Sequence, residues 1–495
     1  MLSYQVKANQ SVSSIFRLSV GLIAIVAGGM IGVVLVWLNS PIMVLAGLVA
    51  LISGIIMAFN VDLGLLAMIF VIFIRLSDVM VNEHGLPSIA KPFIGLLIVG
   101  IAIRWVLYNQ PPRGWGWSFF LIFVYGLTVS LSLIYAQDYT RASDATSDFL
   151  KDGLVCVMVV MILQKEKVFH HVAWAMVCAG AFLGTISMIQ YFTGSYDNAY
   201  WGFGLSKLAS IVSGTSDYRI SGPYGDPNFY AQAMVVFVPI SLDRFMGARR
   251  TFPRSFALWA LLVSSFTIIV TFSRGGFLSL VTVLTIFAVW KGLSFKNWVL
   301  ILSLITIGIL LLPDQYSERL GTLTSFLPGS DQTAQSEASF TGRLSENIIA
   351  VRMFMDHPIL GVGFKNYPAQ YLEYSRGLGI DQRRVERSPH SLYLEIAAEH
   401  GLLGLLIFGF LLYNVFKGLI DARKIFTRLH AFEMDRLSMA ILISLVGYLV
   451  SAIFLHGAYP RPFWMLIGLS LAFSAYAQVQ SEIHYEEKLK ISRRI

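Results

Sequence analysis

Apolar residues run along this chain in blocks of about twenty, divided by short polar connections. A bilayer core takes ~20 apolar residues per helix, and few soluble cores supply even one such block. The blocks predict fourteen spans, near 16–38, 41–59, 61–76, 89–108, 117–136, 151–163, 168–193, 227–246, 256–272, 275–290, 298–313, 389–416, 437–456 and 461–479. The predicted fold class is therefore an all-α polytopic membrane protein of about 14 transmembrane helices (12–14). Helices 1–11 fill 1–313, a large loop fills 314–388, helices 12–14 fill 389–479, and a tail fills 480–495. No signal-peptide layout precedes the first apolar run, which predicts that this run is retained as a helix.

Three polar connections are long: 137–150, 194–226 and 314–388. Within the last, "GRLSENIIAVRMFMDHP" has helical periodicity, with Leu344, Ile348, Val351 and Met355 on one face and Pro358 limiting the helix. That face is expected to pack on the membrane helices or to lie at the membrane interface. "GVGFKNYP" follows as a glycine-rich turn.

Composition agrees with the pattern: 56% of residues are hydrophobic, 13% are charged, and the mean hydropathy is +0.67. A net charge of +8 suggests nucleic acid in a soluble protein. Here it reads as topology, because Lys and Arg collect on cytoplasmic loops. Lys165 and Lys167, then Arg249, Arg250 and Arg254, then Lys291 and Lys296, then Lys417, Arg423, Lys424 and Arg428 fall on alternate connections. With the tail "KLKISRRI" they place both termini in the cytoplasm and the three long connections outside. Cys156 and Cys178 lie in apolar segments and read as small buried hydrophobes.

With charge so scarce, an ionisable side chain at or near membrane depth is a functional candidate. His390 follows Pro389 where a helix starts, Arg274 stands in "TFSRGGF", Arg343 in "TGR", and Arg219 in "DYRISGPYGDPN". All four are predicted on the outer face. Each arginine is ordinarily an interfacial anchor, and the histidine a satisfied helix-end residue. Convergence of the four instead makes a site for a polyanion, with phosphate matching the guanidinium fork. Arg387 belongs to a cationic loop face, and Glu395 and Glu399 share a helix face. No P-loop, strand-borne GxGxxG or HExxH pattern occurs.

"SPHSLYLEIAAEHGLLG" resembles the HN-x-x-L-E-x-x-x-E-x-G-x-x-G signature of the O-antigen ligase and O-antigen polymerase family of bacterial membrane proteins. "GPYGDPNFYA", "TFSRGGFLSL" and "TGRLSENIIAVRMFMDHPILGVGFKNY" resemble that family's other motifs in the same order, over roughly 215–415. Ser391 stands where the family commonly has Asn, and the predicted helix count exceeds the family's usual number. The resemblance implies a metal-independent glycosyltransferase without cofactors. It would move a glycan from undecaprenyl diphosphate to a lipid-core or glycan acceptor hydroxyl at the outer face of the bacterial cytoplasmic (inner) membrane, with inversion. It implies His390 as general base and Arg274 and Arg343 as diphosphate ligands, with Arg219 a secondary candidate for the same role; Arg387, Glu395 and Asn228 are further candidates for support. Nucleic acid is not an expected partner; membrane lipids are. Two rival readings stand beside it: a transporter in which the same arginines bind lipid-linked or anionic cargo, and a non-catalytic scaffold for polysaccharide assembly whose long loop docks partners.

Overall fold

The computed structural model describes residues 54, 56–57, 59–212, 215–292, 338–378, 385–457 and 461–492. The predicted spans near 16–38 and 298–313, most of that near 41–59, and Arg383 and Arg384 lie outside the described residues.

Helices dominate the described residues. The first, α1 (Val61–Phe73), is capped by the Asn60 side chain and bends by 54° into α2 (Leu76–Asn82). Arg75, at φ 56°, forms the bend. Then come α3 (Ala90–Val106), α4 (Gly116–Leu131), α5 (Tyr139–Ile162), α6 (Glu166–Thr193), α7 (Pro227–Gly247), α8 (Thr251–Val270) and α9 (Arg274–Trp290). Next among the described residues come α10 (Ala338–Asp356) and α11 (Tyr367–Leu378), both within the large loop. The chain finishes with α12 (Leu392–Arg428), α13 (Phe432–Ser451) and α14 (Arg461–Ser492). Helix α7 packs among α8, α9 and α13, while α14 packs on α5 and α12.

Among the described residues, six helices are long and apolar enough to cross a membrane: Gly116–Ile134, α6, α8, α12, α13 and α14 as far as Lys490. The bent α1–α2 pair would make a seventh. The predicted count of about fourteen is not confirmed.

Three differences from the sequence reading have local causes. The connection 137–150 is helix, not loop. Asp138 accepts from Arg141 N (2.9 Å) as N-cap, and Ala142, Thr146 and Phe149 turn inward while the polar residues face out. The 24 residues of α5 would span ~36 Å, more than the ~30 Å of hydrocarbon, so its polar turns can stand outside. Connection 194–226 contains an antiparallel hairpin, β1 (Ser206–Val212) with β2 (Thr215–Ile220), so the fold is not wholly α. The tail continues α14 as helix to Ser492.

The long span after the large loop is also broken. Gly401 leaves helical geometry (φ 61°, ψ −158°), dividing α12 into a short arm, 392–400, and a long one. The loop fills the break. Leu402 N donates to Pro358 O (2.8 Å) and Leu403 N to Ile359 O (3.2 Å), while Val362 N and Gly363 N donate to Ala398 O (2.8 Å) and Glu399 O (2.9 Å). Backbone groups freed in an apolar setting need such partners. The glycine turn and the "EHGLLG" stretch are thus two halves of one joint.

The basic connections gather at one end of the bundle. Arg244 Nη1 lies 3.1 Å from His170 Nδ1, Arg436 Nε 3.5 Å from Asp243, and Arg423 Nε donates to Asp435 (2.8 Å). His390, Arg274 and Arg343 sit on connections that leave the opposite ends of the same helices.

Candidate functional site

The site starts from two helix N-termini. In α7, Asp226 is the N-cap and accepts from Asn228 N (2.8 Å) and Phe229 N (3.3 Å), with Pro227 in the first turn. In α9, Ser273 is the N-cap and accepts from Gly276 N (3.2 Å), with Arg274 next. A Cβ on Gly276 would lie 2.5 Å from that of Ala231, so glycine is what lets α9 close on α7. Both N-termini point their positive dipole ends into a crevice lined by Asn228, Ser273, Arg274, Gly275, Arg343 and the Phe454–Leu455 backbone turn. Among these lining residues there is no carboxylate.

Arg343 arrives from α10. Burial presses its guanidinium below the usual arginine range, and Arg274 beside it adds to that, while Glu346 and Asp226 oppose. The two arginines are thus electrostatic neighbours held together against their own repulsion. The crevice is narrow, about 10 Å³, the room of roughly one water.

One turn along α10 from Arg343 is Glu346, 1% exposed. Its Oε2 lies 2.5 Å from His390 Nδ1, and its Oε1 lies 3.8 Å from Arg387 Nη1. With Nδ1 turned to the carboxylate, Nε2 is the nitrogen left to accept a proton. The arm bearing His390 is tied to α13: Leu392 N donates to Ala452 O (3.0 Å), and Tyr393 Oη to Leu449 O (3.0 Å).

Beyond His390 stands His456, its ring 5.5 Å from that of His390 and 5.3 Å from Phe229. Burial lowers the basicity of His456, with Lys365 and His390 assisting and Glu395 opposing. Glu395 is buried in an ion pair with Lys365 and accepts from Gly457 N (2.6 Å). Burial works against the Lys365 charge, but Glu395 and Glu399 outweigh it and raise its pKa.

The sequence candidates therefore fall into groups. Arg274, Arg343 and Asn228 line one crevice, and His390 and Arg387 share Glu346. Glu395 is one contact further away, braced on Lys365. Arg219, at the end of β2, has its guanidinium on backbone: Nε donates to Thr271 O (2.9 Å), and Nη2 to Phe272 O (3.4 Å) and Asn228 Oδ1 (3.2 Å). It clamps the turn that presents Arg274 and orients Asn228.

Sequence reasoning missed Glu346 because it read the wrong face of α10. Leu344, Ile348, Val351 and Met355 are exposed (49%, 40%, 40% and 65%), whereas Ser345, Glu346, Ile349, Ala350 and Met353 are buried. Of the two fates expected for the first stripe, it does not pack on the membrane helices. The signal was present: Glu346 lies at i−3, i−4 and i−7 from Ile349, Ala350 and Met353, a carboxylate inside an apolar stripe.

A helical membrane protein with a basic crevice beside a histidine–carboxylate pair is the class that fold and site define. Residues 259–409 match the family model described as O-antigen ligase, which supports the resemblance to the O-antigen ligase/polymerase family. That family suggests a glycosyltransferase-like role in polysaccharide assembly, with lipid-linked glycan substrates in general. No curated protein matches the chain. The match spans Arg274, Arg343, Glu346, Arg387, His390 and Glu395.

Proposed function

We propose that the protein transfers a glycan from undecaprenyl diphosphate to an acceptor hydroxyl at the outer face of the cytoplasmic membrane. The observation that carries this reading is the Glu346–His390 contact one helical turn from the Arg343–Arg274 crevice. In the proposed step, His390 Nε2 takes the acceptor hydroxyl proton as the oxygen attacks the anomeric carbon. The bond from that carbon to the diphosphate oxygen breaks, its electron pair leaves with the diphosphate, and the anomeric configuration inverts. Arg274, Arg343, the Asn228 amide and the two helix N-termini take up the growing negative charge. Guanidinium forks supply there the charge that a metal supplies elsewhere. Glu346 holds the His390 ring and balances the charge that it gains, as an orienting carboxylate does for other histidine bases. Arg219 and Glu395 position the backbone on either side.

The test is direct transfer by the purified protein in lipid nanodiscs, with a lipid-diphosphate glycan as donor and chelator present. Wild type should transfer. His390→Gln, which keeps a hydrogen-bonding group but not an effective base, should be slower by about 10²–10⁴-fold. Transfer by His390→Gln at the wild-type rate removes the base assignment.

A further inference from the structure

His456 lines a second, larger, half-open space of about 700 Å³ among the described residues. Cavities of that size surround whole ligands rather than single groups. It shares a wall with the crevice: Asn228 and Leu455 face the crevice, while their chain neighbours Phe229 and His456 face the cavity. A ligand in this cavity and an anion in the crevice would therefore meet beside the His390–His456 ring pair.

The two spaces differ in charge. Arg75, Lys365 and Arg461 line the cavity, but so do Asp78, Asp148 and Asp152, three of each sign. The charges are already matched: Arg75 Nε donates to Asp78 (2.6 Å), Arg461 Nε to Asp152 (2.7 Å), Lys365 is paired with Glu395, and Asp148 accepts from Lys151 Nζ (2.8 Å). Such walls offer many hydrogen-bonding edges and no surplus charge. Aromatic rings lie between them, and the Arg75 guanidinium sits 4.9 Å over the Tyr224 ring. Polar groups fixed in pairs favour a ligand that returns a hydrogen bond to each, and an ionic ligand gains nothing from balanced walls.

We infer that this cavity is the acceptor subsite and that it takes a glycan built of uncharged sugars. Its role as acceptor subsite rests on the transferase reading; its selectivity for neutral saccharide rests on the walls alone. It follows that the acceptor's reacting end is a neutral sugar rather than a phosphate-decorated one.

The experiment uses the full chain in nanodiscs and three probes: linear oligosaccharides of neutral hexoses, hexuronate oligosaccharides of equal length, and pyrophosphate. Saturation-transfer NMR reads the sugars and calorimetry reads pyrophosphate. Neutral oligosaccharide should bind in preference to hexuronate. Ala145→Trp, which fills the cavity without removing a charged partner, should weaken neutral-sugar binding at least tenfold and leave pyrophosphate binding unchanged. Asp148→Lys, at an exposed rim position, should shift preference toward hexuronate even if the Trp variant does not fold. Absence of neutral-sugar binding, equal binding by Ala145→Trp, or a wild-type preference for hexuronate overturns the inference. Wild type that binds sugar in the cavity but no pyrophosphate overturns the transferase reading and leaves the saccharide cavity standing.

Discussion

Glu346 Oε2 meets His390 Nδ1 at 2.5 Å, joining the loop helix to the arm that opens α12. Both carboxylate oxygens are engaged, since Oε1 faces Arg387. Glu346→Gln keeps the shape but loses the charge that orients the imidazole. Transfer should fall about 10–100-fold, the scale on which a functional histidine suffers from losing its orienting partner. Donor binding should change little. A transfer assay beside pyrophosphate calorimetry separates the two, and a fully active Glu346→Gln would reduce the contact to packing.

Arg274 and Arg343 approach one crevice from different elements, α9 and α10. Replacing either by Lys keeps a cation but loses the planar fork that meets two oxygens at once. Each substitution should weaken pyrophosphate binding about tenfold or more, since hydrogen bonds to charged groups contribute ~1.5–3 kcal/mol. Calorimetry of both variants reads this. Unchanged affinity in both would make the pair interfacial anchors.

The orientation of the bundle is testable at α11. With the basic connections inside, Arg376, exposed at the end of that helix, lies outside. A cysteine placed there, with Cys178→Ser to remove the exposed native thiol, should react with an impermeant maleimide in intact cells. Reaction only after permeabilisation places the site on the wrong face for the proposed donor.

The scarce charges were the legible residues. Arg274, Arg343 and His390 are charges in an apolar chain, and composition alone makes them stand out. Glu346 was hidden because α10 carries apolar residues on two faces, and only tertiary packing decides which is buried. The polar half of α5 was hidden because a helix that runs beyond the apolar layer becomes polar, which periodicity in an apolar window does not register. The break at Gly401 looked like a continuous span because its cause lies some forty residues away, in the turn that fills it.

His456 gives the site an acid-side limit. Burial lowers its pKa, so the folded protein prefers the neutral ring. The stability that this preference contributes is fully present above the ordinary histidine value of ~6.5 and is lost as the pH falls below it. Wild type should lose melting temperature between about pH 7 and pH 5, and His456→Asn should lose less over the same range. Parallel curves for the two proteins would assign the acid sensitivity to other groups.

The joint between loop and broken helix should be the least tolerant place near the site. Gly361 has φ +69°, and a Cβ there would lie 2.4 Å from the Glu399 carbonyl carbon and 2.5 Å from His400 N. Those are backbone atoms, so no side chain can swing aside. Gly401 meets the same turn from the other strand of the joint: at φ +61°, its Cβ would fall 2.5 Å from Ile359 C and O. Alanine at either position must push the turn off the helix break, exposing the carbonyls of Pro358 and Ala398 that now accept across it. A forbidden contact, a strained φ and freed backbone groups together should cost ~3 kcal/mol or more. Gly377, with nothing within 4 Å of its would-be Cβ, is the contrast. Gly377→Ala should accumulate and melt like wild type, while Gly361→Ala and Gly401→Ala should be scarce or melt well below it. If the joint variants melt normally but no longer transfer glycan, the turn sets the position of His390 rather than the stability of the bundle. Normal melting and normal transfer together would mean that the break does not depend on the loop that fills it.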